Sequence, residues 1–262
     1  MSVSAETLAS IALAAGGEIM RIYGTDFAVE TKLDASLLTE ADGLAEALIL
    51  ARLAQAEPDL QVIAEEAVAG GSVPEHGSRF ALVDPLDGTK EFVAKNGEFT
   101  VNIAIIEHGR PVMGVVYAPA LHRLFVAESP SHAWQSKAAP DGTVPKQRNR
   151  LRIRPAPENG LTAVASKSHR SPETDTWLAK YPVHEITGAG SALKFCLVAA
   201  GEADVYPRLG RTMEWDTAAG QAVVEAAGGR VLTLDHTPLL YGKRARGYDN
   251  PDFVVYGDVT PL

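Results

Sequence analysis

Phe80-Ala81-Leu82-Val83-Asp84-Pro85-Leu86-Asp87-Gly88-Thr89 places an unbroken apolar run directly before two carboxylates, a glycine and a hydroxyl. The run reads as a buried strand, so Asp84 and Asp87 stand at a strand end, where side chains can converge on a site. Hard divalent cations such as Mg²⁺ select carboxylate and carbonyl oxygens over sulfur or imidazole. Asp-x-x-Asp supplies two carboxylates, and Pro85 stiffens the turn so that the Leu86 carbonyl can point inward. Gly88 lets the backbone approach an anion closely. Taken alone, Asp-Pro-x-Asp-Gly is also an ordinary turn, because all three residue types favour turns.

Outward from this stretch, periodicity organises the chain. Upstream, Leu8, Ile11, Ala12, Ala15, Ile19 and Ile22 describe an amphipathic helix over the first ~25 residues. A second helix follows Thr39 and ends before Pro58, and Val62-Ile63-Ala64 reads as a short strand leading into Glu65-Glu66. Downstream, Phe99 to Ile105 alternates with period two, followed by Val112 to Tyr117 and Arg123 to Ala127, which predicts an antiparallel meander. Residues 136–160 change character, and Lys146, Arg148, Arg150, Arg152 and Arg154 form a basic patch around a weak strand, read as a solvated connector between two halves in preference to a binding patch. The expected division is residues 1–150 and 151–262. In the second part strands are expected at Leu161–Ser166, Val183–Ile186, Ala203–Tyr206 and Arg230–Leu234, with helices at Pro172–Lys180, Ser191–Ala200 and Thr217–Ala227. That alternation indicates an α/β layer. An α+β half and an α/β half would share a cleft.

Composition bounds the partners. The 262 residues are 46% hydrophobic and 22% charged, as in ordinary globular proteins, and the formal net charge is −9. This balance argues against nucleic acid or an anionic membrane as the main partner. Cys196 is the only cysteine, so neither an internal disulfide nor a thiolate cluster is possible, and its apolar neighbours predict a buried, inert thiol. No secretory signal is read at the N-terminus, and no apolar run approaches ~20 residues, so a transmembrane segment is not expected. A cytoplasmic location is the expectation, with peripheral association with the inner membrane left open. His76, His108 and His122 lie in polar connector contexts and are expected at the surface.

Three more acids stand at the ends of expected elements, each with a plain structural reading. Thr39-x-x-Asp42 is a good helix-capping arrangement, Asp216 would cap the helix that begins at Thr217, and Glu65-Glu66 could be a solvated turn.

The blocks together carry more than each alone. Glu65-Glu66, then Asp84-Pro85-Leu86-Asp87-Gly88-Thr89, then Trp215-Asp216-Thr217-Ala218-Ala219-Gly220 resemble, in order and spacing, the inositol monophosphatase superfamily of metal-dependent phosphatases. Asn96 to Ile103, Ser166-Lys167-Ser168-His169, Ser191 to Val198 and Tyr206-Pro207-Arg208-Leu209-Gly210 are similar to its 3'(2'),5'-bisphosphate nucleotidase branch. The resemblance implies a layered α-β-α-β-α sandwich and two or three Mg²⁺ ions. Glu65, Asp84, the Leu86 carbonyl, Asp87 and Asp216 would be the ligands, with Asp84 bridging two ions. Asp42 and Thr89 would orient and activate the attacking water, with Lys32 and Glu66 nearby. Glu65, Leu86, Asp87, Gly88, Thr89 and Asp216 would also line the substrate, joined by His169, Ser191, Lys194 and Arg208 on the nucleotide side. Lys194 on its own reads equally as a lysine snorkelling from a helix edge. One departure is Ser36-Leu37, where relatives often carry Ser-Pro, so the loop before Asp42 is expected to be less rigid.

The implied reaction is hydrolysis of the 3'-phosphate of adenosine 3',5'-bisphosphate to AMP and phosphate. The sulfated form, 3'-phosphoadenylyl sulfate, and a place in sulfur assimilation are implied with it. An inositol monophosphatase or sugar bisphosphatase with the same metal centre is the alternative enzyme. A non-catalytic nucleotide- or metal-binding regulator is the alternative of another class.

Overall fold

Alternation along the apolar run divides two cores. The computed structural model describes residues 2–31, 37–166 and 171–262. Helix α1 (Ala5–Tyr23) begins at Ser4, whose hydroxyl accepts from the Thr7 amide at 3.1 Å. The pair β1 (Val29–Thr31) and β2 (Leu37–Thr39) leads into α2 (Glu40–Ala56). Strand β3 (Val62–Ala64) runs without a gap into α3 (Glu65–Ala69). Strand β4 (Arg79–Asp87) carries the apolar run and both motif acids, and α4 (Thr89–Val93) starts after Gly88. The meander follows as β5 (Thr100–Glu107), β6 (Arg110–Ala118), β7 (Arg123–Ser129), β8 (His132–Lys137) and the two-residue edge β9 (Asn149–Arg150). These strands form one seven-stranded sheet in sequence order from β3 to β9, with only β3–β4 parallel.

The second sheet is built from β10 (Leu161–Ser166), α5 (Pro172–Leu178), β11 (Val183–Ala189), α6 (Leu193–Ala199), β12 (Val205–Arg208), α7 (Glu214–Ala226), β13 (Arg230–Thr233) and β14 (Phe253–Tyr256). Its strand order is β11-β10-β12-β14-β13. The first three are parallel, as βαβ crossovers require, and β14 closes the sheet antiparallel to both neighbours.

Side-chain parity assigns the layers. Ala81, Val83, Val101, Ile103 and Ile105 face α1 and α2, whereas Phe80, Leu82, Ala104 and Ile106 face α6 and α7. Beyond α6 and α7 lies the second sheet, and α5 covers part of that sheet's far side through Leu178 and Trp177. The architecture is therefore a layered α-β-α-β-α sandwich.

Several expectations need correction. Strands β8 and β14 were not read from periodicity; β8 mixes His, Gln, Ser and Lys with apolar residues, and β14 is a continuous apolar run after a proline. Helix α7 starts at Glu214, so Asp216 lies inside it rather than before it. Glu65 and Glu66 open a helix instead of a solvated turn. The basic connector is partly clamped. Arg148 pairs with Glu6 at 2.8 Å and Glu128 at 3.1 Å while lying over Trp134, and Arg154 pairs with Asp204 at 2.7 Å. His76 stacks on Phe80, ring centroids 3.9 Å apart, and is half-buried rather than a surface residue. Cys196 is fully buried, which pushes its thiol pKa up, as an inert packing residue requires.

The approach of α7 to the sheet depends on one missing side chain. A Cβ at Gly114 of β6 would stand 2.8 Å from both the Ala219 carbonyl oxygen and the Ala222 Cβ. Gly114→Ala is expected to lower Tm by several degrees, from ~1–3 kcal/mol of overpacking at ~2–4 °C per kcal/mol. Gly43→Ala, inside α2 with open space around its Cβ, is expected to raise Tm slightly. Thermal denaturation followed by circular dichroism checks both signs, and equal shifts would contradict the packing argument.

Candidate active site

Strand β4 would separate its two acids if it were regular, because residues three apart point to opposite faces. Asp84 pairs across Asn102 and Asp87 across Thr100, so three steps on β4 match two on β5. The extra residue is a bulge, and it returns Asp87 to the face of Asp84. Asp84 shares the parity of Phe80 and Leu82, so that face is the one towards α7. Pro85, which has no N–H to give a ladder, is tolerated at such a bulge. Leu86 turns its side chain into the core under α1 and α2, while its amide donates to Asp84 Oδ1 at 3.0 Å. Its carbonyl oxygen accepts from Thr89 Oγ1 at 3.4 Å. Gly88 sits at φ 92, where a Cβ would also meet Phe99 Cα at 3.4 Å, so the turn into α4 needs glycine.

Two helices bring further acids by one shared device. Asp42 and Asp216 are each the third residue of their helix, and each carboxylate reaches back to the backbone N–H of the residue before it. Thr39 N–H donates to Asp42 Oδ2 at 2.8 Å, and Met213 N–H donates to Asp216 Oδ2 at 2.8 Å. The second oxygen of Asp42 accepts from Thr89 Oγ1 at 3.4 Å. Capping and convergence on the site therefore coexist in one side chain. Glu65, first in α3, follows β3, whose parallel pairing sets Ala64 beside Val83 and so puts Glu65 beside Asp84.

Glu65, Asp84 and Asp216 end with carboxylate oxygens all within 4.8 Å of one another. Burial raises the Asp84 pKa well above the usual carboxylate range, and Glu65, Asp87, Asp216 and Asp42 push it in the same direction. Asp216 is raised likewise by burial and then by Asp87 and Glu65, against the Met213 amide and Arg208. Burial lifts Asp87 to about 6 despite Lys194 and the Asn102 amide, which favour its charge. Lys194 is itself only 7% exposed, and burial lowers it to about 8 against the pull of Asp87. An all-oxygen cluster under this repulsion fits hard divalent cations, which neutralise carboxylates that neighbouring side chains leave in conflict.

The model of the inositol monophosphatase family matches residues 2–252. The chain belongs to the inositol monophosphatase family. It is 42% identical over 252 residues to the 3'(2'),5'-bisphosphate nucleotidase CysQ of Escherichia coli K12, covering 95% of this chain and 98% of that one. The CysQ of Buchnera aphidicola is 38% identical over 243 residues, covering 92% and 88%. Among solved structures, CysQ from Bacteroides thetaiotaomicron superposes with a TM-score of 0.79 at 38% identity over 97% of each chain. An IMPase from Thermotoga maritima gives 0.77 at 25% identity, covering 96% of this chain and 91% of that one.

Against this family frame, the residues expected at the site divide into groups. Asp42, Glu65, Asp84, Leu86, Asp87, Gly88, Thr89 and Asp216 converge at one end of β4. Lys194 lies close to Asp87, buried rather than snorkelling, with Nζ donating to Ser191 O at 2.7 Å and Ala189 O at 3.4 Å. Ser191, at φ 44, spends its hydroxyl on Glu98 O at 3.0 Å, so it shapes the loop above Asp87. Arg208 donates to Arg211 O at 2.7 Å and stands near enough to favour the charge of Asp216. His169, Lys32 and Ser36 lie outside the described residues. Two participants carried no role in the sequence reading. Glu46, one turn beyond Asp42, accepts the Glu66 amide at 2.8 Å and so fixes the start of α3. Asn102 Nδ2 donates to Asp87 Oδ2 at 3.3 Å. The signal for Glu46 was its i+4 spacing from Asp42, and for Asn102 an amide inside an otherwise apolar strand.

Repulsion in the cluster makes a signed prediction for the metal-free protein. The folded-state pKa of Asp84 is raised, so the folded protein binds more protons than the unfolded chain between the two values, and this acid's contribution to stability falls as pH rises. Asp84→Asn keeps an acceptor for the Leu86 amide and removes the charge. In EDTA it is expected to melt a few degrees above the wild type at pH ~8, with the gap closing at pH ~4 where carboxylates protonate. Scanning calorimetry checks this; a variant that melts lower at pH ~8 would show that the carboxylate is structurally required.

Proposed function

We propose that this protein is a Mg²⁺-dependent phosphatase that removes the 3'-phosphate of adenosine 3',5'-bisphosphate, giving AMP and inorganic phosphate. Full-length likeness to the CysQ nucleotidases supports the reaction class. The observation that carries the substrate choice is Lys194, a buried ammonium beside the acid cluster, where a second phosphate can be met. An inositol monophosphate offers no such second anion. The 3'-phosphate of 3'-phosphoadenylyl sulfate has the same chemical surroundings, so the proposed activity extends to it, with a role in sulfur assimilation.

Glu65, Asp84, the Leu86 carbonyl, Asp87 and Asp216 are the residues that would hold the ions, two or three in number. Bound there, such ions neutralise the phosphate dianion and the developing charge on the leaving oxygen, and lower the pKa of water. The chain's own groups do the positioning. Thr89 donates its hydroxyl proton to Asp42 Oδ1 or to Leu86 O, which leaves its oxygen lone pairs to accept a proton of the attacking water. Asp42, anchored through its other oxygen, is the carboxylate towards which that proton moves. The water oxygen bonds to phosphorus while the bond from phosphorus to the ribose 3'-oxygen breaks, the leaving oxygen takes a proton from solvent water, and Asp42 returns its proton to solvent. The backbone N–H groups of Gly88 and Thr89 would face the phosphate. Residues 1–150 thus supply the water-orienting pair, the turn and four of the five ion-binding residues. Residues 151–262 add Asp216 and the nucleotide side, with Lys194, Arg208 and the Ser191 loop.

Phosphate release from adenosine 3',5'-bisphosphate and from inositol 1-phosphate, each with Mg²⁺ and with EDTA, tests the proposal. Mg²⁺-dependent preference for the nucleotide is expected, and preference for the inositol ester would overturn it. Lys194→Ala is expected to raise KM for the bisphosphorylated nucleotide by ~10-fold or more, as loss of a charge-assisted contact implies, with a smaller effect on a monophosphate ester. Equal losses on both would deny Lys194 a selective role.

A further inference from the structure

We infer that Asn102, with Thr100 beside it, is a positioning residue that holds Asp87 in its ion-binding orientation and meets water carried by the bound cation. The inference rests on the metal-dependent reading above and concerns residues to which that reading gives no part.

Asn102 is 1% exposed and Thr100 0%, and both stand on β5 at the two register positions opposite Asp84 and Asp87. Their neighbours Val101 and Ile103 point the other way, into the core under α1 and α2. A carboxylate only accepts, so the amide nitrogen of Asn102 must be the atom that faces Asp87 Oδ2 at 3.3 Å. That fixes Oδ1 as the remaining atom, and it is buried without a hydrogen-bond partner among the described residues. Thr100 Oγ1 is buried and without a partner in the same way.

Each unmet buried polar group costs about 1–3 kcal/mol, and an apolar residue of the same shape would avoid that cost. Two such groups, two residues apart on one face of β5 and opposite the acids in register, leave Asn102 Oδ1 in want of a donor and Thr100 Oγ1 in want of a partner beside the acid cluster. Hard cations such as Mg²⁺ keep several bound waters, and those waters are donors. Groups that orient ligands in this manner typically change metal affinity 10–100-fold when removed.

The test uses metal alone. Mn²⁺ is titrated into metal-stripped wild type, Asn102→Leu and Thr100→Val, with free ion followed by electron paramagnetic resonance and the metal-free melting point recorded for each. Asn102→Leu is expected to bind Mn²⁺ about 10–100-fold more weakly while its metal-free form melts no lower than wild type. Thr100→Val is expected to shift affinity in the same direction by a smaller factor, and it decides the matter if Asn102→Leu does not fold. Unchanged affinity in the folded variant, or a lower melting point with unchanged affinity, overturns the inference and leaves the metal reading intact. A wild type that binds no Mn²⁺ overturns both.

Discussion

The carboxylates of Glu65, Asp84, Asp87 and Asp216 are gathered so that Glu65 and Asp87 oppose the ionisation of buried Asp84 and Asp216, and the rest of the molecule is arranged to keep them there. Left to themselves, such groups would separate or take up protons. Backbone anchors resist this. Asp84 accepts the Leu86 amide and Asp216 the Met213 amide, while the Glu66 amide, fixed by Glu46, sets the start of the helix that carries Glu65. Asp87 accepts the Asn102 amide from the neighbouring strand β5. The folding energy of a large sandwich core is thus used to hold a local charge conflict that bound cations relieve.

Layering makes the convergence possible. Two sheets sandwiching α6 and α7 put the start of α7 against the end of β4, and Gly114 lets α7 lie close enough to bring Asp216 to Asp84. The bulge at Pro85 does within one strand what the layers do between elements, since it sets two acids on one face. Lys194 and Arg208 approach from the second sheet's side, so the acid cluster is met by charge of the other sign from different elements. Binding a small anion to a chain of net charge −9 requires this local inversion.

Most of the fold was legible where period decided it. Alternation in Phe99 to Ile105 and helical spacing from Leu8 to Ile22 follow directly from burial on one face or one stripe. Strand β8 was not, because its polar residues weaken the pattern and pairing with its neighbours β7 and β9 makes it a strand. The acids that the structure gathers were legible through order and spacing along the chain. Their physical means of assembly was not: the bulge exists only in register with β5, and Asp216 read as a cap just outside its helix when it is the third residue of that helix. Lys194 was ambiguous because burial of its ammonium depends on carbonyls of the preceding loop, which no local pattern announces.

Crystals of metal-stripped protein soaked in Mn²⁺ and measured for anomalous scattering bear most directly on a cation centre at the end of β4. Anomalous density in direct contact with carboxylate oxygens of Glu65, Asp84 and Asp216 is the expected result. Full Mn²⁺ exposure with no density there, and the acids instead protonated or paired with Lys194 or Arg208, would contradict it.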